Sequence, residues 1–226
     1  MEKILVLLSG GIDSTTCLAK AVALVGKESV TALNIFYGQR HDKEIESARA
    51  VADYYDVKYY ELDLSNVLAL SDCSLLRHSS QKVQHGAYAD QLRKDPGKPV
   101  STYVPFRNGL FLSAAASVAL SVGADVIMYG AHADDAAGSA YPDCSMVFVG
   151  YMNSAIWEGS GEAVEIAAPF VGMNKAQVVA EGLRLGAPYH LTWSCYEGGE
   201  KPCGKCGTCI DRAKAFEANG MEDPAQ

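Results

Sequence analysis

No apolar run in this sequence approaches the ~20 residues that cross a bilayer, so no membrane partner is expected. The apolar stretch in MEKILVLLSG lacks a small-residue cleavage site and meets Ser-Gly-Gly at once. It reads as a first strand rather than an export signal. A basic excess is missing too. Nineteen Lys and Arg stand against 27 Asp and Glu, a formal net charge of −8. Nucleic-acid binders carry a basic surplus or stripe to meet phosphates, so no nucleic-acid partner is expected. Internal repeats and low-complexity tracts are also lacking, which argues against an array or a disordered chain. The seven cysteines cannot all pair, and four of them fall within residues 195–209. With no export signal, that clustering points to metal more than to disulfides, and to a cytoplasmic protein.

What is present is an ordinary globular composition: 226 residues, 49% hydrophobic and 20% charged. Residues 3–8 form a short apolar run bounded by Ser-Gly-Gly, as a buried parallel strand does. Leu18, Val22 and Val25 then recur at helical spacing. Strand-like runs follow at 29–38, in VKYYELDL, in ADVIMYGA and at 163–170. Between them HDKEIESARAVADYY sets Ile45, Ala48, Ala52 and Tyr55 on one helical face. NGLFLSAAASVALSVG is apolar nearly all round and is expected as a helix sandwiched in the core. In NKAQVVAEGLRLG, Asn174 is a candidate N-cap and Gly186 a candidate stop. This alternation predicts an α/β fold: a Rossmann-like parallel sheet with helices on both faces. Ligands of such sheets bind outside the carboxyl ends of the strands. The loops beginning at Ser9, Tyr37, Gly130 and Phe170 are therefore expected to surround one site. Residues 71–100, with weak periodicity and two prolines, interrupt the pattern. They read either as a solvated excursion or as a lid over an anionic substrate, carrying Arg77, Lys82, Arg93, Lys94 and Lys98.

In LLSGGIDSTTCLAK, a strand becomes a helix across two glycines. A helix start offers unpaired N–H groups and the positive end of its dipole. Gly10 and Gly11 permit unusual dihedrals and close approach, and Ser9, Ser14 and Thr15 add hydroxyl donors. Together they form a nest for phosphate oxygens. No lysine occurs in the loop, so it is not a Walker loop, and its adjacent glycines are not the G-x-G-x-x-G turn either. Asp13 either stiffens the loop or helps to hold Mg²⁺ against pyrophosphate. The missing cation must come from elsewhere, and Lys175 at the start of a later helix is the best candidate. At the other end, SCYEGGEKPCGKCGTC spaces Cys195, Cys203, Cys206 and Cys209 as C-x7-C-x2-C-x2-C. Four thiolates so spaced form a closed structural zinc site, although an iron–sulfur cluster also takes four.

S-G-G-I-D-S between strand and helix resembles the signature of the PP-loop ATP pyrophosphatases. That resemblance implies a nucleotide site at Leu8, Ser9, Gly10, Gly11, Ile12, Asp13, Ser14 and Thr15, completed by Tyr37 and Lys175. Further strings narrow it: YGQRH, STYVPFRN, YPDC, PYHLTWSCY and PCGKCGTC. In this order, along nearly the whole chain, they are similar to the 7-cyano-7-deazaguanine synthase family. The resemblance implies a PP-loop ATP-binding domain over 1–185 and a C-terminal zinc-binding element over 186–226. It implies ATP-dependent conversion of a 7-carboxy-7-deazaguanine substrate and ammonia to a nitrile, through adenylated carboxylate and amide, by a homodimer. Catalytic roles would fall to Asp13, Lys175 and Arg107. Substrate contacts would fall among Tyr103, Arg107, Asn108, His132, Asp135, Tyr141 and Asp143, with Arg107 suited to grip a carboxylate.

Two positions depart from the family pattern. Phe106 stands where the family usually has glycine, and Ser145 where an arginine is common. The rival readings are a PP-loop enzyme that thiolates tRNA, an amidotransferase of the asparagine or dinucleotide synthetase type, and a zinc-ribbon binding protein with an inactive nucleotide fold. The net charge disfavours the first, and the cysteine quartet with YPDC disfavours the second. Retention of the loop and of Lys175 disfavours the third.

Overall fold

The run ILVL buries alternate side chains on opposite faces. Ile4 and Val6 pack with one layer of helices and Leu5 with the other, as period-two geometry requires. A computed structural model describes residues 2–94 and 98–225. Met1, Asp95, Pro96, Gly97 and Gln226, at the ends of or within the expected ranges 1–185, 71–100 and 186–226, lie outside the described residues. In chain order the elements are β1 (Ile4–Leu7), α1 (Ile12–Val25), β2 (Val30–Phe36), α2 (Lys43–Tyr55) and β3 (Lys58–Asp63). There follow α3 (Tyr88–Lys94), α4 (Arg107–Val122), β4 (Val126–Met128), the single turn α5 (Ala133–Ala136) and α6 (Met146–Gly159). The chain closes with β5 (Glu165–Ala167), α7 (Lys175–Arg184) and α8 (Gly207–Glu217).

The five strands form one parallel sheet in the order β3-β2-β1-β4-β5, the fold class expected. Helices α1, α2 and α7 cover one face through Leu18, Ala48, Val51 and Val178. Helices α4 and α6 cover the other through Leu112, Ala115, Ala119 and Ile156. The chain runs outward from β1 to β3, then crosses back to β4 on the far side of β1. That reversal opens a crevice at the carboxyl ends of β1 and β4.

Three expectations need correction. The fifth strand covers Glu165–Ala167 only. Helix α4 is not sandwiched: it buries one stripe and leaves Leu120 48% exposed. Its outward serines need no partner helix, because Ser113 and Ser121 donate to the carbonyls of Gly109 and Ser117 at 2.8 and 2.7 Å. Residues 71–94 are no loose excursion. Leu75, Leu76 and Val83 are buried against the cysteine quartet, and Gly86 N donates to Lys205 O at 2.9 Å.

Residues beyond Gly186 buttress the loop after β1. Tyr189 and Phe216 pack on Ile12 and Val179, the Tyr189 hydroxyl lies 2.7 Å from Thr16 Oγ1, and Trp193 N donates to Gly10 O at 3.0 Å. No helix among the described residues is long and apolar enough to cross a membrane.

Candidate functional site

A cleft of about 220 Å³ opens where β1 and β4 part, walled by the loops after β1, β2 and β4 and by the start of α7. Its floor is the first turn of α1, which begins at Gly11 without a side-chain cap. The first-turn amides therefore lack the acceptor that Ser, Thr, Asp or Asn would supply. Ser9 N donates to Ser14 Oγ at 3.1 Å, and the two hydroxyls lie 3.0 Å apart. Gly10 adopts φ +85°, and a Cβ there would sit 2.4 Å from Glu44 O. Its bare side faces α2 rather than a ligand, so this glycine serves helix packing. Gly130 likewise lets the β4 loop lie against Asp13, whose Cβ would be 2.8 Å from an added one.

Lys175 enters from α7, which is positioned by a reciprocal capping box. Asn174 Oδ1 accepts from Gln177 N, and Gln177 Oε1 accepts from Asn174 N, each at 2.9 Å. Asp134 Oδ2 accepts from Lys175 N at 2.7 Å. The Lys175 ammonium forms an ion pair with Asp13 and lies 3.4 Å from His132 Nε2. His132 is buried, with Asp135 Oδ2 at 3.3 Å. Burial alone would raise the Asp13 carboxyl, but Lys175 and then His132 outweigh it and hold it below its ordinary value. Burial dominates at Asp135, whose carboxyl is raised. Asp13 Oδ1 and His132 Nδ1 are buried without a hydrogen-bond partner. A buried carboxylate oxygen without a hydrogen-bond partner, beside an uncapped helix start, suits a hard divalent cation.

At the opposite end, the Arg107 guanidinium lies over Tyr37 and Phe111, 5.4 and 5.8 Å from the ring centroids. It makes no ion pair with a described residue. Burial opposes its charge, but Tyr37, Tyr196 and Asp143 more than offset that. Glu44, on the first turn of α2, also faces this end, and burial pushes its carboxyl up to about 7 against the pull of Arg107.

The cleft brings together Leu8, Ser9, Gly11, Ile12, Asp13, Ser14, Tyr37, Arg107, Asn108, His132, Asp135, Tyr141 and Lys175. It does not include Gly10, Thr15, Tyr103 or Asp143 on its wall. Thr15 is fully buried behind the loop. The Tyr103 hydroxyl accepts from Phe106 N at 2.9 Å, and Asp143 Oδ2 accepts from Asn108 N at 2.8 Å. Both support the start of α4 from behind. None of Arg77, Lys82, Arg93, Lys94 and Lys98 faces the cleft; Tyr88 is what the 71–94 segment contributes. Other wall residues escaped sequence reading: Asn34, Glu44, Phe111, Trp193, Tyr196, Thr208 and Asp211. Asn34 carried a signal, a polar side chain inside an apolar strand. Buried there, it donates to Leu8 O at 2.7 Å. Ser145 caps α6, its Oγ accepting from Phe148 N at 3.1 Å.

The sulfurs of Cys195, Cys203, Cys206 and Cys209 all lie within 4.8 Å of one another. Cys203 Sγ and Cys209 Sγ are 4.0 Å apart, near the ~3.8 Å edge of a tetrahedron with 2.3 Å metal–sulfur bonds. Backbone N–H groups of Cys203, Lys205 and Cys206 point at these sulfurs over 3.3 to 3.4 Å. The four residues can hold a metal ion.

The chain resembles known proteins along almost its whole length. A 7-cyano-7-deazaguanine synthase of Archaeoglobus fulgidus is 44% identical over 98% of this chain and 89% of its own. One from Psychromonas ingrahamii is 43% identical over 99% and 96%. Among solved structures, the U34-tRNA thiolase NcsA from Methanococcus maripaludis, with its [4Fe-4S] cluster, shares the fold. Its TM-score is 0.53 at 17% identity, covering 86% of this chain and 61% of that one. The family described as queuosine biosynthesis protein QueC matches residues 3–220, and the chain belongs to that family.

Proposed function

We propose that this protein is an ATP-dependent C–N ligase that makes 7-cyano-7-deazaguanine from 7-carboxy-7-deazaguanine and ammonia. The observation that carries this reading is the pairing, in one cleft, of an uncapped helix start beside Lys175 with a ring-stacked Arg107 that has no anionic partner. The first suits a polyphosphate, the second a planar carboxylate.

A carboxylate oxygen of the substrate attacks the α-phosphorus of ATP, and pyrophosphate leaves as an acyl adenylate forms. Ammonia adds to the acyl carbon and expels AMP, giving the amide with loss of a proton. The amide oxygen is adenylated in turn, and loss of AMP and a proton leaves the nitrile. One site serves both adenylations because each presents an oxygen to the same phosphorus. The amides of 9–14 and the Lys175 ammonium hold the departing pyrophosphate, so catalysis rests on positioning and charge neutralisation. Asp13 orients Lys175, and its free oxygen is the ligand we assign to Mg²⁺, which neutralises phosphate charge when bound. Arg107 fixes the reacting carboxylate.

We assign zinc to the cysteine quartet, in a structural role, since four sulfurs close the coordination sphere. The thiolation reading draws only on the shared fold of a protein 17% identical. We also propose a homodimer built on α6. Met146, Val147 and Tyr151 are exposed there, and the helix carries one charged residue, Glu158. A second copy covers such a face without burying a charge. Light scattering should then give twice the 24.1 kDa chain mass. The decisive experiment incubates purified protein with ATP, Mg²⁺, ammonium and 7-carboxy-7-deazaguanine. Mass spectrometry should find the amide and then the nitrile; persistence of the carboxylate alone would overturn the reading.

A further inference from the structure

Four carboxylates face the cleft, and three of them, Asp13, Asp135 and Asp211, gather where Lys175 enters. The fourth is Glu44. Its backbone carbonyl lies against Gly10, which fixes the start of α2 on the loop. Its carboxylate faces the Arg107 end of the cleft and makes neither an ion pair nor a hydrogen bond with any described residue. Asp143, the other acid near Arg107, stands off the wall and is occupied by the backbone of Asn108. The end of the cleft remote from Lys175 thus presents a guanidinium and a carboxylate, neither in an ion pair with a described residue, and the rings of Tyr37 and Phe111, 5.6 Å apart and tilted by 56°.

We propose that Glu44 is a specificity residue that reads the adjacent ring N–H and 2-amino group of the deazaguanine, while Arg107 holds the carboxylate on its five-membered ring. This rests on the proposed function above. An ionised carboxylate only accepts hydrogen bonds, and it takes two parallel donors best. A 2-aminopyrimidinone edge offers two such donors side by side. Adenine offers an amino group beside a bare ring nitrogen, so the same carboxylate turns away the base of ATP. A guanidinium and a carboxylate that share this end of the cleft beside two aromatic rings match a bicyclic substrate that is anionic on one ring and a double donor on the other.

The test is pyrophosphate exchange into ATP driven by 7-carboxy-7-deazaguanine or by its 2-desamino counterpart, with wild type, Glu44→Gln and Glu44→Ala. Wild type should favour the 2-amino compound at least about tenfold in apparent KM, since a site built for a donor rejects the analogue without it. Both variants should lose that preference, at least about tenfold weaker for the 2-amino compound and within about threefold for the other. Their KM for ATP and their bound metal should stay at wild-type levels. Variants that keep the preference, or whose defect lies only in the KM for ATP, overturn the role of Glu44 alone. Wild type that supports no exchange with either acid overturns the proposed function, and this inference with it.

Discussion

Asp13, on the first turn of α1, and Lys175, on the first turn of α7, form an ion pair across the end of the cleft nearest the glycine loop. They are 162 residues apart in sequence. The pair sets a cation beside the lysine-free glycine loop, and under the proposed function Asp13 holds it where the pyrophosphate would sit. A lysine at a helix start is mildly opposed by the dipole, and the capping carboxylate of Asp134 on its own amide compensates.

Removing that cation should cost turnover rather than folding. Lys175→Ala is expected to lower kcat by about 10²–10³, the range seen when one preorganised charge-stabilising group is lost. Near-UV circular dichroism should stay native. Wild-type turnover in this variant would remove Lys175 from the site.

Phe106 sits at φ +54°, in the left-handed region that glycine enters more cheaply. Its ring offsets the strain by packing edge-on against Phe148, with centroids 5.9 Å apart, and by covering Gly109. Phe106→Ala keeps the strain and loses the ring, whereas Phe106→Gly loses both. Glycine is therefore expected to be more stable than alanine here by about 1 kcal/mol, the reverse of the helical order. Urea midpoints of the two variants decide it.

Metal removal should undo the tail and the loop together, because Trp193 N ties residues beyond the last sheet helix to Gly10 O. Elemental analysis is expected to give one zinc per chain and a colourless protein. Chelation in mild denaturant should lower Tm by more than about 10 °C, the shift that a few kcal/mol produces in a chain of this size. Iron with visible absorbance would replace zinc as the occupant.

Glu181 anchors α7 to α1 through Lys20 Nζ at 3.0 Å and also pairs with Arg184 Nε at 2.8 Å. The hydrogen bonds from Arg184, then Lys20, hold its carboxyl down at about 2. A depressed carboxyl adds stability above its unfolded value near 4.5 and loses it as pH falls toward 2. Glu181→Gln should therefore cost on the order of 1 kcal/mol at pH 7, a surface-screened figure. The difference in Tm between the two proteins should close between pH 5 and about 2. A gap that persists at pH 2 would point to packing instead.

Short-range chemistry was readable in advance. Three of the four clustered cysteines fall within seven consecutive residues, and the strand–glycine–helix turn is written in adjacent letters. The capping box of α7 needs only Asn174 and Gln177. Apolar alternation was enough for five parallel strands, although the end of β5 was overrun because burial and ladder pairing stop at different residues. Tyr103 and Asp143 looked like substrate readers by company. Folding turned them behind α4, where their oxygens take backbone protons.

The linear order of residues settled which segments would form strands, helices and a thiolate cage, since each depends on neighbours a few positions away. It was silent on which charges would end up unpaired in a common hollow. Glu44 and Arg107 acquire their character from burial beside groups far along the chain, and Lys175 from its ion pair with Asp13, 162 residues away. Such environments exist only once β1 and β4 lie side by side and the tail has closed beneath them.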